Sequence, residues 1–193
     1  MKSLCLVLAA AAALPAAAEV ERYSVDPRHT FPAYEVLHNG LSLQRGRFNK
    51  TSGKITLDPQ AKAGSAEIAI DAHSISTGVE RLEEVIRGED FLKAKDHPQI
   101  TFKSSRFEFE GDSVKRAVGD LTIAGVTKPV TLEAAHFQCS PDKRTKVKTC
   151  GAEFVTRIRR SEFGLVYGLP ALADEVLLRI NVEARQETSQ EKS

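Results

Sequence analysis

The sequence has no tryptophan, three tyrosines and three cysteines, and its only methionine is residue 1. An apolar interior must therefore be built from Phe, Tyr and branched aliphatics. Charge of one sign is also scarce: 27 Lys and Arg stand against 26 Asp and Glu, a net +1. A nucleic-acid-binding face needs a basic excess, so that class is excluded. Beyond residue 18 no run is long and apolar enough for a membrane-spanning helix. There is no G-x-S-x-G elbow, no phosphate-binding loop and no dinucleotide fingerprint, so no catalytic residues are assigned. His29, His38, His73, His97 and His136 lack ligand spacing, and no metal is expected. His38 falls on the inward parity of its strand, as a cavity contact or a satisfied core histidine.

Residues 1–18 read as a cleaved signal peptide. Lys2 is the positive start, Leu4–Leu14 the apolar stretch, and Ala16-Ala17-Ala18 the small-residue cleavage signal before Glu19. Cys5 leaves with it, and so does the single excess positive charge. The remaining Glu19–Ser193 is long enough for one domain with a sizeable core. Cys139 and Cys150 flank a polar, turn-rich segment, and in an oxidising compartment they are expected to form a disulfide across the base of a hairpin. A redox-active pair is the alternative, although there is no C-x-x-C.

Period-two alternation dominates the rest. Between Val118 and Leu132 it is interrupted by Gly125 and Pro129. We expect a strand that bends or turns around Gly125–Lys128 and resumes at Val130, in a curved sheet or a plain sandwich hairpin. Further strands are expected at Glu21–Val25, Phe31–His38, Leu41–Phe48, Lys54–Leu57, Ser65–Ala72, Ile100–Phe109, Lys115–Ile123, Val130–Gln138, Gly151–Arg159 and Glu175–Ala184. A bulge near Ser104-Ser105 would bring Ile100, Phe102, Phe107 and Phe109 onto one face. Helical spacing is confined to Val79–Lys95, with Thr77 as N-cap, Glu80 as its capping-box partner, a break at Gly88 and a resumed helix over Asp90–Ala94. Strands without βαβ alternation predict an all-β antiparallel barrel or sandwich.

The inward parity collects Tyr34, Val36, Ile55, Leu57, Ile68, Ile70, Phe102, Phe107, Phe154, Ile158, Val176, Leu178 and Ile180. Phe163–Leu172, with two glycines and a proline, reads as a mobile apolar loop. It either borders a cavity mouth, with the Tyr167 hydroxyl near a ligand head group, or tucks onto the core. Residues 187–193 read as a polar, disordered tail.

Ordered motifs carry a resemblance across Tyr23–Ala184: Tyr23-Ser-Val-Asp26, His29-Thr30, Val36-Leu-His38, Gly46-Arg-Phe48, Gly53–Asp58, Ser74–Gly78, Asp90-Phe91, His97–Ser104, Gly119–Val130 and Ser161–Gly164. In this order they resemble the YceI-like family. The resemblance implies an extended antiparallel lipocalin-like β-barrel of about eight strands with a short helical insertion, filling residues 19–186. It also implies a periplasmic binding protein that takes an isoprenoid, a polyprenyl quinone such as ubiquinone, or a fatty-acid-like amphiphile for transport or storage. The Cys139/Cys150 pair resembles a disulfide-bearing subset. No cofactor is implied beyond the bound polyprenyl or acyl lipid.

The expected ligand-binding set is Tyr34, Val36, His38, Ile55, Ile68, Phe102, Phe107, Phe154, Ile158, Phe163, Tyr167, Val176 and Leu178. The expected partners are a small amphiphilic lipid, a membrane touched transiently and, as an open alternative, a second copy in a homodimer. An enzyme acting on such a lipid and a ligand-free interaction module with a filled core are the rival readings. Protein exported by a Gram-negative host is predicted to begin at Glu19, and an intact mass that retains residues 1–18 contradicts the leader.

Overall fold

The computed structural model describes residues 20–188. The leader assigned to residues 1–18 lies outside the described residues, as do residues 189–193 of the tail. Glu187, expected in that tail, is instead tied to the barrel. Its N–H donates to the Arg22 carbonyl at 2.8 Å, and its carboxylate accepts from Ser24 Oγ at 2.9 Å and pairs with Lys54.

The strands are β1 (Glu21–Val25), β2 (Phe31–His38), β3 (Ser42–Phe48), β4 (Thr51–Asp58), β5 (Ala63–Asp71), β6 (Ile75–Ser76), β7 (Gln99–Glu110), β8 (Ser113–Ile123), β9 (Val126–Pro141), β10 (Lys148–Arg159) and β11 (Leu172–Gln186). All pairings are antiparallel. They run β1-β4-β5-β7-β8-β9-β10-β11, and β1 pairs again with β11 to close an eight-strand barrel. β2, β3 and β6 extend from the same edge of β11. The end of β11 pairs with β1 (Ala184↔Val25), and its earlier part pairs with β2 (Ile180↔Pro32, Val176↔Val36).

The hand-over between the two partners falls at Glu183. Its carbonyl accepts from Asp26 N–H at 2.8 Å and from Thr30 Oγ1 at 3.2 Å, and its N–H donates to Thr30 Oγ1 at 3.1 Å. A threonine side chain thus fills the place of a missing ladder partner. Asp26, 5% exposed, anchors the crossing. Its carboxylate accepts from Arg28 N–H and guanidinium at 3.0–3.2 Å and from His29 Nδ1 at 3.2 Å, and it forms an ion pair with Arg185 at 3.1 Å. The Arg28 hydrogen bonds, outweighing the cost of burial, hold this carboxyl far below the usual carboxylate range.

Of the bend or turn expected around Gly125–Lys128 the structure has the turn, a hairpin: the chain reverses at Ala124 (φ 47°) and Gly125 (φ 80°), and Ile123 pairs directly with Val126, so the next strand starts there and not at Val130. Left-handed angles at both central residues are what a two-residue hairpin turn requires. Pro129 then lies opposite Asp120, in the alternation a pair that exchanges no hydrogen bond with β8. Its missing N–H faces the side where β10 does not follow, because β9–β10 pairing stops at Glu133↔Val155. Gly125 also makes room for a neighbour, since a Cβ there would sit 2.6 Å from the His97 ring.

The helix α1 (Glu80–Arg87) is shorter than expected, and Asp90–Ala94 forms turns rather than a second helical piece. No capping box forms. Glu83, not Glu80, reaches back to accept from Thr77 N–H at 2.7 Å and Gly78 N–H at 3.2 Å. None of the helix residues is fully buried, and Leu92 and Ala94 in the following turns pack on the barrel end instead.

The bulge does form between Ser104 and Arg106, and it is internally satisfied: Ser104 Oγ donates to the Val118 carbonyl at 2.6 Å and accepts from Arg106 N–H at 3.3 Å. Phe102 and Phe107 therefore share the inner face. Cys139 and Cys150 are opposite each other in β9 and β10 and are bonded, with Cα atoms 4.0 Å apart.

Replacing both cysteines by Ala is expected to cost about 3 kcal/mol, the loop-closure value for a ring of this size, read as a lower urea midpoint. The depressed Asp26 carboxyl contributes stability that is complete above its unfolded pKa of about 3.9 and is lost as pH falls towards the folded value. Asp26→Asn should destabilise by about 2 kcal/mol at pH 7 and flatten the acid limb of a stability–pH curve. An unchanged limb would remove Asp26 from the account.

Candidate functional site

The barrel interior is not filled by protein. A cavity of about 150 Å³ lies inside the wall. The wall is apolar. β11 contributes Leu178, Ile180, Val182 and Ala184, facing Ile55 and Leu57 of β4 and Ile68 and Ile70 of β5. Phe102, Phe107, Leu121 and Phe154 complete the girth. Ile55, Ile68, Leu178, Ile180 and Val182 point inward yet remain only part-buried. In a packed core such residues lose nearly all their surface, so what they keep faces the void.

The ends of the barrel are closed differently. At one end Tyr23 and Val114, each 1% exposed, lie beside Ala184 and the disulfide. Tyr23 donates its hydroxyl to Glu21 at 2.7 Å, and burial with that carboxylate raises its pKa. At the other end the chain between β5 and β7 crosses over, fixed by Ala72 N–H to the Pro98 carbonyl at 2.9 Å. The loop after β10 also folds across this end. It is pinned from within by Arg160, 4% exposed, whose guanidinium donates to the carbonyls of Leu165 (2.5 Å), Tyr167 (2.9 Å), Leu172 (2.7 Å) and Ala173 (2.9 Å). The opening lies along β2, where Ala33 and Tyr34 border both the cavity and a shallow outer groove with Arg45, Arg47 and Arg179. The Tyr34 ring lies over Gly46; a Cβ there would come within 2.6–2.8 Å of it. Burial, and then the Glu83 carboxylate, push the Tyr34 hydroxyl up to about 12, so it is a neutral phenol at physiological pH.

Of the residues expected to contact a ligand, Tyr34, Ile55, Ile68, Phe102, Phe107, Phe154 and Leu178 are brought together on this wall. The others are not. Val36, Ile158, Val176 and Phe163 point inward but belong to the packed end, where Phe163 (1% exposed) and Leu165 descend onto the barrel. His38 is exposed beside the β2–β3 turn, neither a cavity contact nor a core histidine. Tyr167 is 56% exposed, its ring edge-on to Phe91 at 5.5 Å, well away from the cavity wall. Both were assigned by parity or composition, which cannot register that β2 outruns the wall or that Arg160 fixes the loop. Of the two placements open for the Phe163–Leu172 loop, the structure has the one tucked onto the core, through Phe163 and Leu165.

Sequence reasoning missed several wall residues. Ala117, Leu121 and Ile123 share one parity of β8 and were legible; Phe48, Thr30 and Thr51 lie at strand ends, where alternation carries little signal. Among the described residues no group of His, Cys, Asp and Glu is gathered to hold a metal ion.

Comparison with known proteins agrees with this geometry. The YceI-like domain matches residues 23–184. A UPF0312 protein of Vibrio cholerae is 31% identical over 183 residues, covering 93% of this chain and 95% of that protein. Protein YceI of Salmonella arizonae is 32% identical over 168 residues, covering 86% and 87%. Among solved structures, Burkholderia cenocepacia BcnA superposes with a TM-score of 0.71 at 27% identity, covering 82% of this chain and 98% of that one. A polyisoprenoid binding domain from Saccharophagus degradans shares the fold at a TM-score of 0.63 and 15% identity, covering 86% and 98%. With its barrel, its disulfide and a domain match running from β1 to the end of β11, the chain belongs to the YceI-like family.

Proposed function

We propose that this protein is a periplasmic carrier that shelters one amphiphilic lipid chain, polyprenyl or acyl, inside the barrel. A polyprenyl quinone such as ubiquinone is a member of that class. The carrying observation is the set of inward aliphatics that keep their surface towards an unfilled apolar interior. Such a wall offers dispersion contacts and release of water to a hydrocarbon chain, without a charged anchor. Burying about ten methylene groups at about 0.8 kcal/mol each gives about 8 kcal/mol before ordering costs. The same fold in the Saccharophagus protein, described as a polyisoprenoid binding domain, is consistent with a guest of this shape.

The apolar wall and the YceI-like family match support binding rather than turnover. The signal-peptide reading of residues 1–18 supports export. Loading from a membrane fits the exposed Leu37, Leu41 and Leu43 around the β2–β3 turn, with Leu41 85% exposed.

The full chain, expressed with its leader and purified from the periplasm without detergent, should release a stoichiometric prenyl or acyl lipid into organic solvent, identified by mass spectrometry. Leu178→Trp, which projects a large side chain into the void, should lower the recovered lipid at least tenfold while the circular dichroism stays that of a folded barrel. Repeated recovery of no lipid from the unmodified protein overturns the carrier reading.

A further inference from the structure

The cavity wall carries four side-chain hydroxyls, those of Tyr23, Thr30, Tyr34 and Thr51, of which Tyr34 is only part-buried and also borders the outer groove. Tyr23 donates to Glu21, and the Thr30 hydroxyl both donates to and accepts from the Glu183 backbone. Thr51 differs. It opens β4 opposite Ile70, lines the cavity and is 4% exposed, and its Oγ1 is buried with no hydrogen-bond partner among the described residues. A buried hydroxyl without a partner is costly. Valine has the same branched shape and suits a strand equally well without that cost.

The place is specific. The row Thr51–Ile70–Ile100 lines the cavity beneath the Ala72–Pro98 crossover, and the wall runs from there to Val114 and Cys150 at the far end.

We infer that the Thr51 hydroxyl is a ligand-binding group, donating its hydrogen bond to a carbonyl oxygen of the guest and so fixing the depth of an otherwise apolar chain. The inference rests on the carrier reading and narrows the guest from any hydrocarbon to a carbonyl-bearing amphiphile. The carbonyl lies at the crossover end, and the tail extends towards the disulfide. An acyl ester and a benzoquinone both supply such an oxygen, and one donor serves either.

The test compares the delipidated full chain, Thr51→Val and Thr51→Ser against four probes: a long-chain methyl ketone, the alkane of equal length, an acyl methyl ester and a prenylated benzoquinone. Thr51→Val should weaken ketone binding about three- to tenfold, the worth of one neutral hydrogen bond. Alkane binding should hold or improve, and Thr51→Ser should retain ketone affinity. The infrared carbonyl band of the bound ketone should sit at lower frequency in the unmodified protein than in Thr51→Val. Where the ketone is weakened, an accompanying loss for the ester and not the quinone assigns the acyl source, and the reverse assigns the prenyl source.

Empty Thr51→Val should unfold at the same or higher urea concentration; a lower midpoint means the hydroxyl already has a partner and overturns the inference. Equal ketone affinity and an unmoved band, with the alkane still binding, overturn the role of Thr51 and leave the carrier reading standing. Binding of no probe to the unmodified protein overturns both.

Discussion

One edge of β11 must satisfy two strands, and the rest of the barrel follows from how it does so. β1 occupies that edge near Ala184 and β2 occupies it from Asn181 back to Leu172. Between them Glu183 would have unpaired backbone groups, and a buried unpaired amide is expensive. Thr30 and the Asp26 N–H meet that need, while the buried Asp26 carboxylate gathers Arg28, His29 and Arg185 around the crossing. Closure through β1 is short, so in the other half of the molecule β2 and β3 continue the wall. A barrel's diameter grows with the number of strands around it, and here the added strands border the opening at Tyr34.

The energetic structure divides the same way. Both ends are packed and hydrogen-bonded, one by Tyr23, Val114 and the disulfide, the other by Phe163, Leu165, Leu92 and the carbonyl-bound Arg160. The many surface ion pairs, such as Arg116 with Glu108 and Glu133 or Arg157 with Glu175, are exposed and contribute little each. The middle is where packing is withheld. Stability comes from the ends and the ladder, and so a void between them is tolerated without collapse.

Much of the candidate site was legible because a strand's side chains alternate without exception over regular stretches. Val176, Leu178 and Ile180 were assigned inward from spacing alone, and the shift of parity between Phe102 and Phe107 demanded a bulge where Ser104 provides one. Parity fails where it does not know how far the wall extends. It carried His38 inward although β2 ends beyond the barrel, and it set Val36 and Ile158 among cavity contacts although the descending loop fills that end. Thr51 escaped because a lone threonine at a strand start has no pattern to break.

The sequence by itself determined the all-β class, the inward set, the hairpin disulfide and the family, because each depends on local periodicity or on short motifs in order. Only the tertiary structure decided which inward residues meet one another and which meet empty space. That outcome depends on strand register, on the double occupancy of β11 and on a buried arginine drawing a loop over one end. The double occupancy of β11 joins residues more than a hundred positions apart, such as Asp26 and Arg185, and no local pattern encodes it.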